Sequence, residues 1–216
     1  MSSENYYIRD KFRKNLCRYI VQAWSLLPDA EKPAILDLGC GTGEPALTLS
    51  SISDATIVSV DADAAALECF KKKVSELNLS DRIKIINRSV FDLDLQGRKF
   101  DIVWAEGLFN IIGFEKGLRL AAKHLRIEGM LVIHDELADE KKKEELIDAN
   151  GYVMFGSFKL AEDTWQNDYF LPMEDFINLL SVKDKEKVYK NELLEIQYSK
   201  DNPERCRSVY YILQMK

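Results

Sequence analysis

The stretch Ile35-Leu36-Asp37-Leu38-Gly39-Cys40-Gly41-Thr42-Gly43-Glu44 decides the fold of this chain. It starts with a short apolar run, which is typical of a buried strand. Three glycines at alternate positions then allow a tight turn that approaches a ligand closely, because glycine has no side chain and tolerates a positive φ. Pro45 suits the first turn of a helix directly afterwards. A strand, a glycine turn and a helix in this order predict a ligand site at the carboxyl edge of an open α/β sheet.

The same alternation of strand and helix patterns continues along the chain. Further strands are predicted at 56–61, 82–87, 100–105, 129–134 and 152–158, and helices at 6–27, 44–52, 63–78, 114–125 and 141–150. Strands that alternate with helices predict a parallel sheet with helices on both faces. Residues 208–214 form a last strand, which we expect to be antiparallel because a long connection enters it and no helix follows. The predicted class is therefore α/β, with a Rossmann-like, seven-stranded, mostly parallel sheet.

We expect one domain, because no linker or repeat interrupts the 216 residues. Its predicted parts are an N-terminal helical lid at 1–32, a cofactor-binding core at 33–160, a helical lid insertion at 161–205 and the last strand at 206–216.

Composition narrows the partners and the compartment. The net charge of −6 argues against an intrinsic attraction to nucleic acid or anionic membranes. Four dispersed cysteines predict reduced thiols, and no apolar run suits a signal peptide or a membrane span. The expectation is a cytoplasmic protein, monomeric or homodimeric, that acts on a small molecule and needs no metal.

The residue after the third glycine separates two classes of ligand. Dinucleotide-binding folds carry a third glycine where this chain has Glu44, and a glutamate there would lie near a pyrophosphate. A ligand without phosphates is therefore favoured over NAD. At the end of the second predicted strand, Asp61 is placed to accept hydrogen bonds from both hydroxyls of a ribose.

Several segments in order resemble one family. The stretch 35–43 is similar to motif I of the class I S-adenosylmethionine-dependent methyltransferases, and 58–61 resembles their second motif. Segments 100–105 and 125–133 resemble their fourth and fifth strands, and the C-terminal part is similar to a subgroup of small, uncharacterised microbial members. The resemblance implies S-adenosylmethionine as the cofactor, bound by Asp37, Gly39, Cys40, Gly41, Gly43, Asp61, Ala62, Ser89, Val90, Phe91 and Glu106. Many members of the family have an acid where this chain has Ser89.

Methyl transfer from a sulfonium is an in-line displacement, so alignment and exclusion of water matter most. A general base is needed only for an acceptor that must lose a proton. The catalytic candidates are Glu106 and His134, each of which has an alternative structural interpretation as a strand-end residue. Candidate substrate contacts are Tyr7, His134, Trp165 and Tyr169, whose rings would otherwise bury the lid helices. The second histidine, His124, is expected at a helix surface.

Alternative functions remain open at this point. The acceptor is expected to be a small molecule, but a protein or nucleic-acid methyltransferase and a non-catalytic S-adenosylmethionine-binding module share the same glycine turn.

Overall fold

A computed structural model describes residues 3–181 and 185–216. In these ranges seven strands form one sheet in the order β3-β2-β1-β4-β5-β7-β6. The strands are β1 Ala34–Leu38, β2 Thr56–Asp61, β3 Ile83–Asn87, β4 Phe100–Glu106, β5 Leu125–Glu136, β6 Tyr152–Lys159 and β7 Ser208–Met215. The ten α-helices of the described residues are α1 Ser3–Arg13, α2 Cys17–Ser25, α3 Glu44–Ile52, α4 Ala64–Glu76, α5 Phe109–Ile112, α6 Phe114–Ala122, α7 Glu140–Ala149, α8 Leu171–Leu179, α9 Lys185–Val188 and α10 Lys190–Asp201.

The predicted fold class is confirmed. Strands β1 to β5 pair in parallel, whereas β7 pairs antiparallel with both β5 and β6. Since β7 lies between β5 and β6, the long segment after β6 must leave the sheet and return. That return path carries α8 to α10 over the carboxyl edge of the sheet, next to α1.

Two apolar layers cover the sheet, one on each face. One contains Leu36, Val103 and Leu131, and the other contains Ile35, Trp104 and Val132. Neighbouring residues of each strand face opposite layers, as the two-residue period of a strand requires. A third apolar cluster joins α1 to α8 and α10, with Ile8 and Met173 in it.

Some predicted boundaries were wrong. The expected helix at 6–27 is two helices separated by a short 3-10 turn at Lys14–Leu16. Strand β5 begins at Leu125 rather than 129, so α6 ends at Ala122. His124 lies in the tight turn between them and is buried, not at the surface as predicted.

No helix within 3–181 and 185–216 combines the length and apolarity needed to cross a bilayer.

Candidate active site

The glycine turn connects β1 to α3 at the carboxyl edge of the sheet. Gly39, Gly41 and Gly43 all have positive φ, at 71°, 52° and 84°. The turn is fixed to the neighbouring strand, because the amides of Gly39 and Cys40 donate to the Val60 carbonyl at 2.8 and 3.1 Å. The backbone can turn this sharply only because all three positions lack a side chain.

The three glycines are needed for different reasons. A Cβ on Gly41 would meet nothing within 4 Å, so this position faces open space. A Cβ on Gly43 would lie 2.2 Å from the ring of Phe70, which α4 holds fully buried. Gly39 is intermediate, with Leu108 at 3.1 Å. The open side of the turn at Gly41 is therefore the side available to a ligand, whereas Gly43 allows α4 to pack against the turn.

Asp61 closes the other side of the turn. Its carboxylate accepts the amide of Gly41 at 2.8 Å through one oxygen and the amide of Asp63 at 2.8 Å through the other. A carboxylate has acceptor capacity for about four hydrogen bonds, so two amides leave it able to bind hydroxyls. Asp61 is half-buried, and it lies where β2 ends next to β1.

Two connected cavities follow this edge, and we call them together the cofactor crevice. One of about 340 Å³ lies under α1, and one of about 280 Å³ lies beyond Asp61. Gly39, Asp61 and Gly107 line both of them. The larger cavity is also lined by Cys40 and Glu106, and the smaller by Ala62, Ser89, Val90 and Phe91.

The smaller cavity has the features of a site for a flat ring. Leu108, Ile111 and Ile112 form one wall, and Phe91, 61% exposed, stands at its rim. The hydroxyl of Ser89 accepts the backbone amide of Phe91 at 3.3 Å. The Ser89 side chain is thus used in a local turn.

Helix α1 covers the larger cavity through polar contacts. The Tyr6 hydroxyl donates to Asp63 at 2.5 Å, and Asp10 accepts a hydrogen bond from the Thr42 hydroxyl. Lys73 pairs with Asp10 at 2.6 Å and with Glu44 at 2.5 Å. The charge of Glu44, which the sequence suggested would repel a pyrophosphate, is therefore compensated by Lys73.

Glu106 is a buried acid of the crevice, and its side chain is 4% exposed. It accepts hydrogen bonds from Trp104 Nε1 at 2.9 Å, the Tyr210 hydroxyl at 2.9 Å and the Arg13 guanidinium at 3.0 Å. Burial raises its pKa, but His134 and Arg13 outweigh burial and hold the pKa at about 2. Glu106 is consequently ionised at neutral pH, and its oxygens are occupied by donors.

A third cavity of about 910 Å³ adjoins the crevice, and we call it the acceptor cavity. Arg13 and Gly107 line both the crevice and this cavity. Its walls come from the ends of β4 and β5, from α10 and from the segment before β7, including His134, Asp135, Glu136, Trp165, Phe170, Leu194, Tyr198, Arg205 and Ser208. Arg13 therefore stands where the two spaces meet, with its guanidinium 5.2 Å from the centre of the Trp165 ring.

His134 lies in the wall of the acceptor cavity within an aromatic stack. Its ring is parallel to that of Tyr210 at 4.3 Å and to that of Trp165 at 6.0 Å. Burial lowers its pKa and the nearby carboxylate of Glu106 raises it, with a net lowering. The imidazole is therefore neutral at neutral pH.

Four of the residues singled out from the sequence do not line the part of the site that was predicted for them. Asp37 lines neither cavity; it is 1% exposed, accepts from Ser59 at 3.4 Å, and burial followed by repulsion from Glu106 and Asp61 raises its pKa well above its usual range. Gly43 faces Phe70. Tyr7 is 65% exposed and lines none of these spaces, whereas Tyr169 lines the crevice rather than the acceptor cavity.

Sequence reasoning missed Asp10 and Arg13, which α1 contributes to the crevice. Tyr6, Asp10 and Arg13 follow a spacing of four and three residues, which places them on one helix face. That polar stripe beside the apolar stripe of Ile8 and Phe12 was the available signal.

Comparisons with known proteins find methyltransferases. Residues 35–129 match the family model described as a methyltransferase domain. The 27-O-demethylrifamycin SV methyltransferase of Amycolatopsis mediterranei is 28% identical over 113 residues, which cover 52% of this chain and 42% of that protein. The match thus spans less than half of that relative. Other curated matches carry the names of protein and tRNA methyltransferases.

Solved structures share the fold over nearly the whole chain. A methyltransferase from Thiobacillus denitrificans in complex with S-adenosyl-L-homocysteine superposes with a TM-score of 0.71 at 16% identity, covering 91% of this chain and 90% of that one. The cyclase SpnF superposes with a TM-score of 0.77 at 14% identity, covering 92% and 81%. At such identities the likeness shows the fold alone.

Proposed function

We propose that this chain is a class I S-adenosylmethionine-dependent methyltransferase that transfers the methyl group of its cofactor to a small molecule bound in the acceptor cavity. The observation that carries the proposal is the junction at Arg13 and Gly107, where a long crevice meets a separate cavity. A methyl group at the end of a cofactor in the crevice would face that cavity.

The residues of the crevice fit the cofactor. Open space at Gly41 and Gly107 leaves room along the backbone on both sides of Asp61, where a side chain would intrude. The crevice has a polar part under α1 and an apolar part beside Leu108 and Ile111, which suits an amino-acid end and a nucleobase. When bound, S-adenosylmethionine supplies an electrophilic methyl group on a sulfonium.

Each side chain then has a role in binding or alignment. Asp61 accepts the ribose hydroxyls, and Ala62, Ser89, Val90 and Phe91 surround the adenine. Gly39, Cys40 and Gly41 lie along the methionine part. Glu106 is an ionised anchor that holds Arg13 and the end of β4 in place, because its low pKa makes it a weak proton acceptor.

The size and chemistry of the acceptor cavity support a small acceptor. Its volume of about 910 Å³ is in the upper part of the usual range for small-molecule pockets, roughly 300–1,000 Å³. Trp165, Phe170 and Leu194 give it apolar walls, and α1, α8 and α10 act as lids that keep water from the reaction.

The test measures S-adenosylhomocysteine formation with three panels of acceptors: small molecules, peptides and RNA. Turnover with small molecules alone is expected. The substitution Leu194→Trp, which adds bulk to the acceptor cavity, should reduce turnover but leave calorimetric binding of the methyl donor unchanged. Leu179→Trp is the matched control, because Leu179 is an exposed helix residue that does not line the cavity.

Other outcomes point to the alternatives. Turnover with peptides or RNA only would replace the small-molecule proposal by a macromolecular one. Donor binding with no turnover would indicate a use of the fold other than methyl transfer, as the name of the cyclase SpnF illustrates for a protein of this shape. Absence of donor binding would contradict the proposal altogether.

A further inference from the structure

Ser208 forms a polar bridge between Trp165, in the segment that follows β6, and His134 of the sheet. Its hydroxyl oxygen lies 2.9 Å from Trp165 Nε1 and 2.9 Å from His134 Nε2. Trp165 belongs to the segment that returns over the sheet edge, whereas His134 is on β5. Strand register explains the closeness, because Tyr210 of β7 pairs with His134 and Ser208 lies two residues before it on the same face.

The direction of these two hydrogen bonds follows from the groups involved. An indole N–H is only a donor, so the Ser208 oxygen must accept from Trp165. Its own proton then needs an acceptor, since Ser208 is buried and within the described residues no other partner contacts its oxygen. The lone pair of His134 Nε2 is that acceptor. A proton on Nε2 would instead place two donors on the Ser208 oxygen and leave its own proton without a partner among the described side chains.

The surroundings of Nδ1, on the opposite side of the imidazole, favour the same tautomer. His134 Nδ1 lies 3.9 Å from Glu106 Oε2. A neutral ring with its proton on Nδ1 directs a positive N–H toward this ionised carboxylate, whereas the other tautomer would direct a lone pair at it. Arg13 pairs with the same Glu106 oxygen and offsets part of its charge, but a lone pair directed at a carboxylate is still unfavourable. Asp135 lies on the other face of β5, where Lys143 pairs with it.

We propose that Ser208 is a positioning residue that fixes His134 as the Nδ1–H tautomer and, through Trp165, ties the lid to the junction of the crevice and the acceptor cavity. The Nε2 lone pair of His134 is then held by Ser208 and cannot accept a proton from an acceptor molecule. His134 orders Glu106 and Tyr210 rather than acting as a general base. This catalytic consequence rests on the proposed function, but the tautomer itself does not.

The experiment is long-range ¹H–¹⁵N correlation NMR of the ring nitrogens in the wild-type protein, without donor or acceptor. The chain has two histidines, so His124→Gln assigns the signals of His134. The expected spectrum at neutral pH shows a protonated Nδ1 and an unprotonated, hydrogen-bonded Nε2. Ser208→Ala should move the Nε2 resonance downfield because that nitrogen loses its donor. Ser208→Thr, which keeps the hydroxyl, should restore the wild-type position.

A wild-type His134 with its proton on Nε2 would overturn the proposal. So would an unchanged Nε2 resonance in Ser208→Ala, measured on protein that unfolds at the wild-type urea concentration. If Ser208→Ala does not fold, the wild-type tautomer and the Ser208→Thr spectrum decide the matter. Because the measurement needs no turnover, a protein without methyltransferase activity can still show the tautomer, and an active one can still lack it.

Discussion

Gly41 and Gly43 offer a sharp test of how the glycine turn works, because they are two residues apart and both have positive φ. Alanine at either position has an unfavourable backbone conformation, which costs about 1–2 kcal/mol. A gain of roughly 0.4–1 kcal/mol from the less flexible unfolded chain offsets part of this cost. Gly41→Ala should therefore lose only about 1 kcal/mol, since its Cβ meets nothing within 4 Å.

Gly43→Ala carries an additional steric cost. Its Cβ would lie 2.2 Å from a Phe70 ring that has no free space to move into. Overpacking of this kind costs about 1–3 kcal/mol, so the total loss should reach roughly 2–4 kcal/mol. For a domain of this size, that corresponds to a Tm lowered by about 5–15 °C. Gly41→Ala should weaken donor binding more than Gly43→Ala does, because only the Gly41→Ala methyl group enters the crevice.

Urea unfolding and calorimetry with S-adenosylmethionine measure the two effects separately. A double-mutant cycle with Phe70→Leu is the control: the smaller side chain should relieve the overlap, so the double variant loses about 1–3 kcal/mol less than the sum of the single changes. Equal destabilisation by the two alanines, or full additivity with Phe70→Leu, would refute the assignment of Gly43 to helix packing.

Three further changes test the crevice. Asp61→Asn should weaken donor binding roughly fivefold to thirtyfold by calorimetry, because hydrogen bonds to a charged group are stronger by about 1–2 kcal/mol; unchanged affinity would contradict the ribose contact. Tyr6→Phe should accelerate donor dissociation in stopped-flow experiments by freeing α1, whereas the exposed Tyr7→Phe should not. Glu106 has a pKa of about 2 in the folded protein, below its ordinary value of 4.5. The ionised side chain therefore contributes its full stability to the fold above pH 4.5 and loses it as the pH falls toward 2. Glu106→Gln should remove about 3 kcal/mol of the pH dependence of the free energy of unfolding across that window, as measured by urea unfolding. If the variant loses as much stability as the wild type when the pH falls from 4.5 to 2, Glu106 is not the stabilising carboxylate.

The sequence alone was sufficient for the fold class and for the position of the glycine turn at the carboxyl edge of the sheet. Strand and helix periods are local properties, and the order of segments from Ile35 to Glu136 leaves few ways to arrange a parallel sheet. The glycine turn and Asp61 were also readable, because a backbone that needs positive φ and a carboxylate at a strand end are encoded within a few residues. The antiparallel last strand followed from the length of its connection and is confirmed.

Only the tertiary structure decided which neighbours these residues have. Arg13 and Glu106 are 93 residues apart, Tyr210 and Glu106 are 104 apart, and His134 and Ser208 are 74 apart. Nothing local distinguishes Gly43, which faces Phe70, from Gly41, which faces the crevice, or Tyr6, which lines the crevice, from the exposed Tyr7. The physical reason is that a local pattern specifies the conformation of a segment, whereas the contacts, charges and protons of a site depend on which distant segments the finished sheet brings to the same edge.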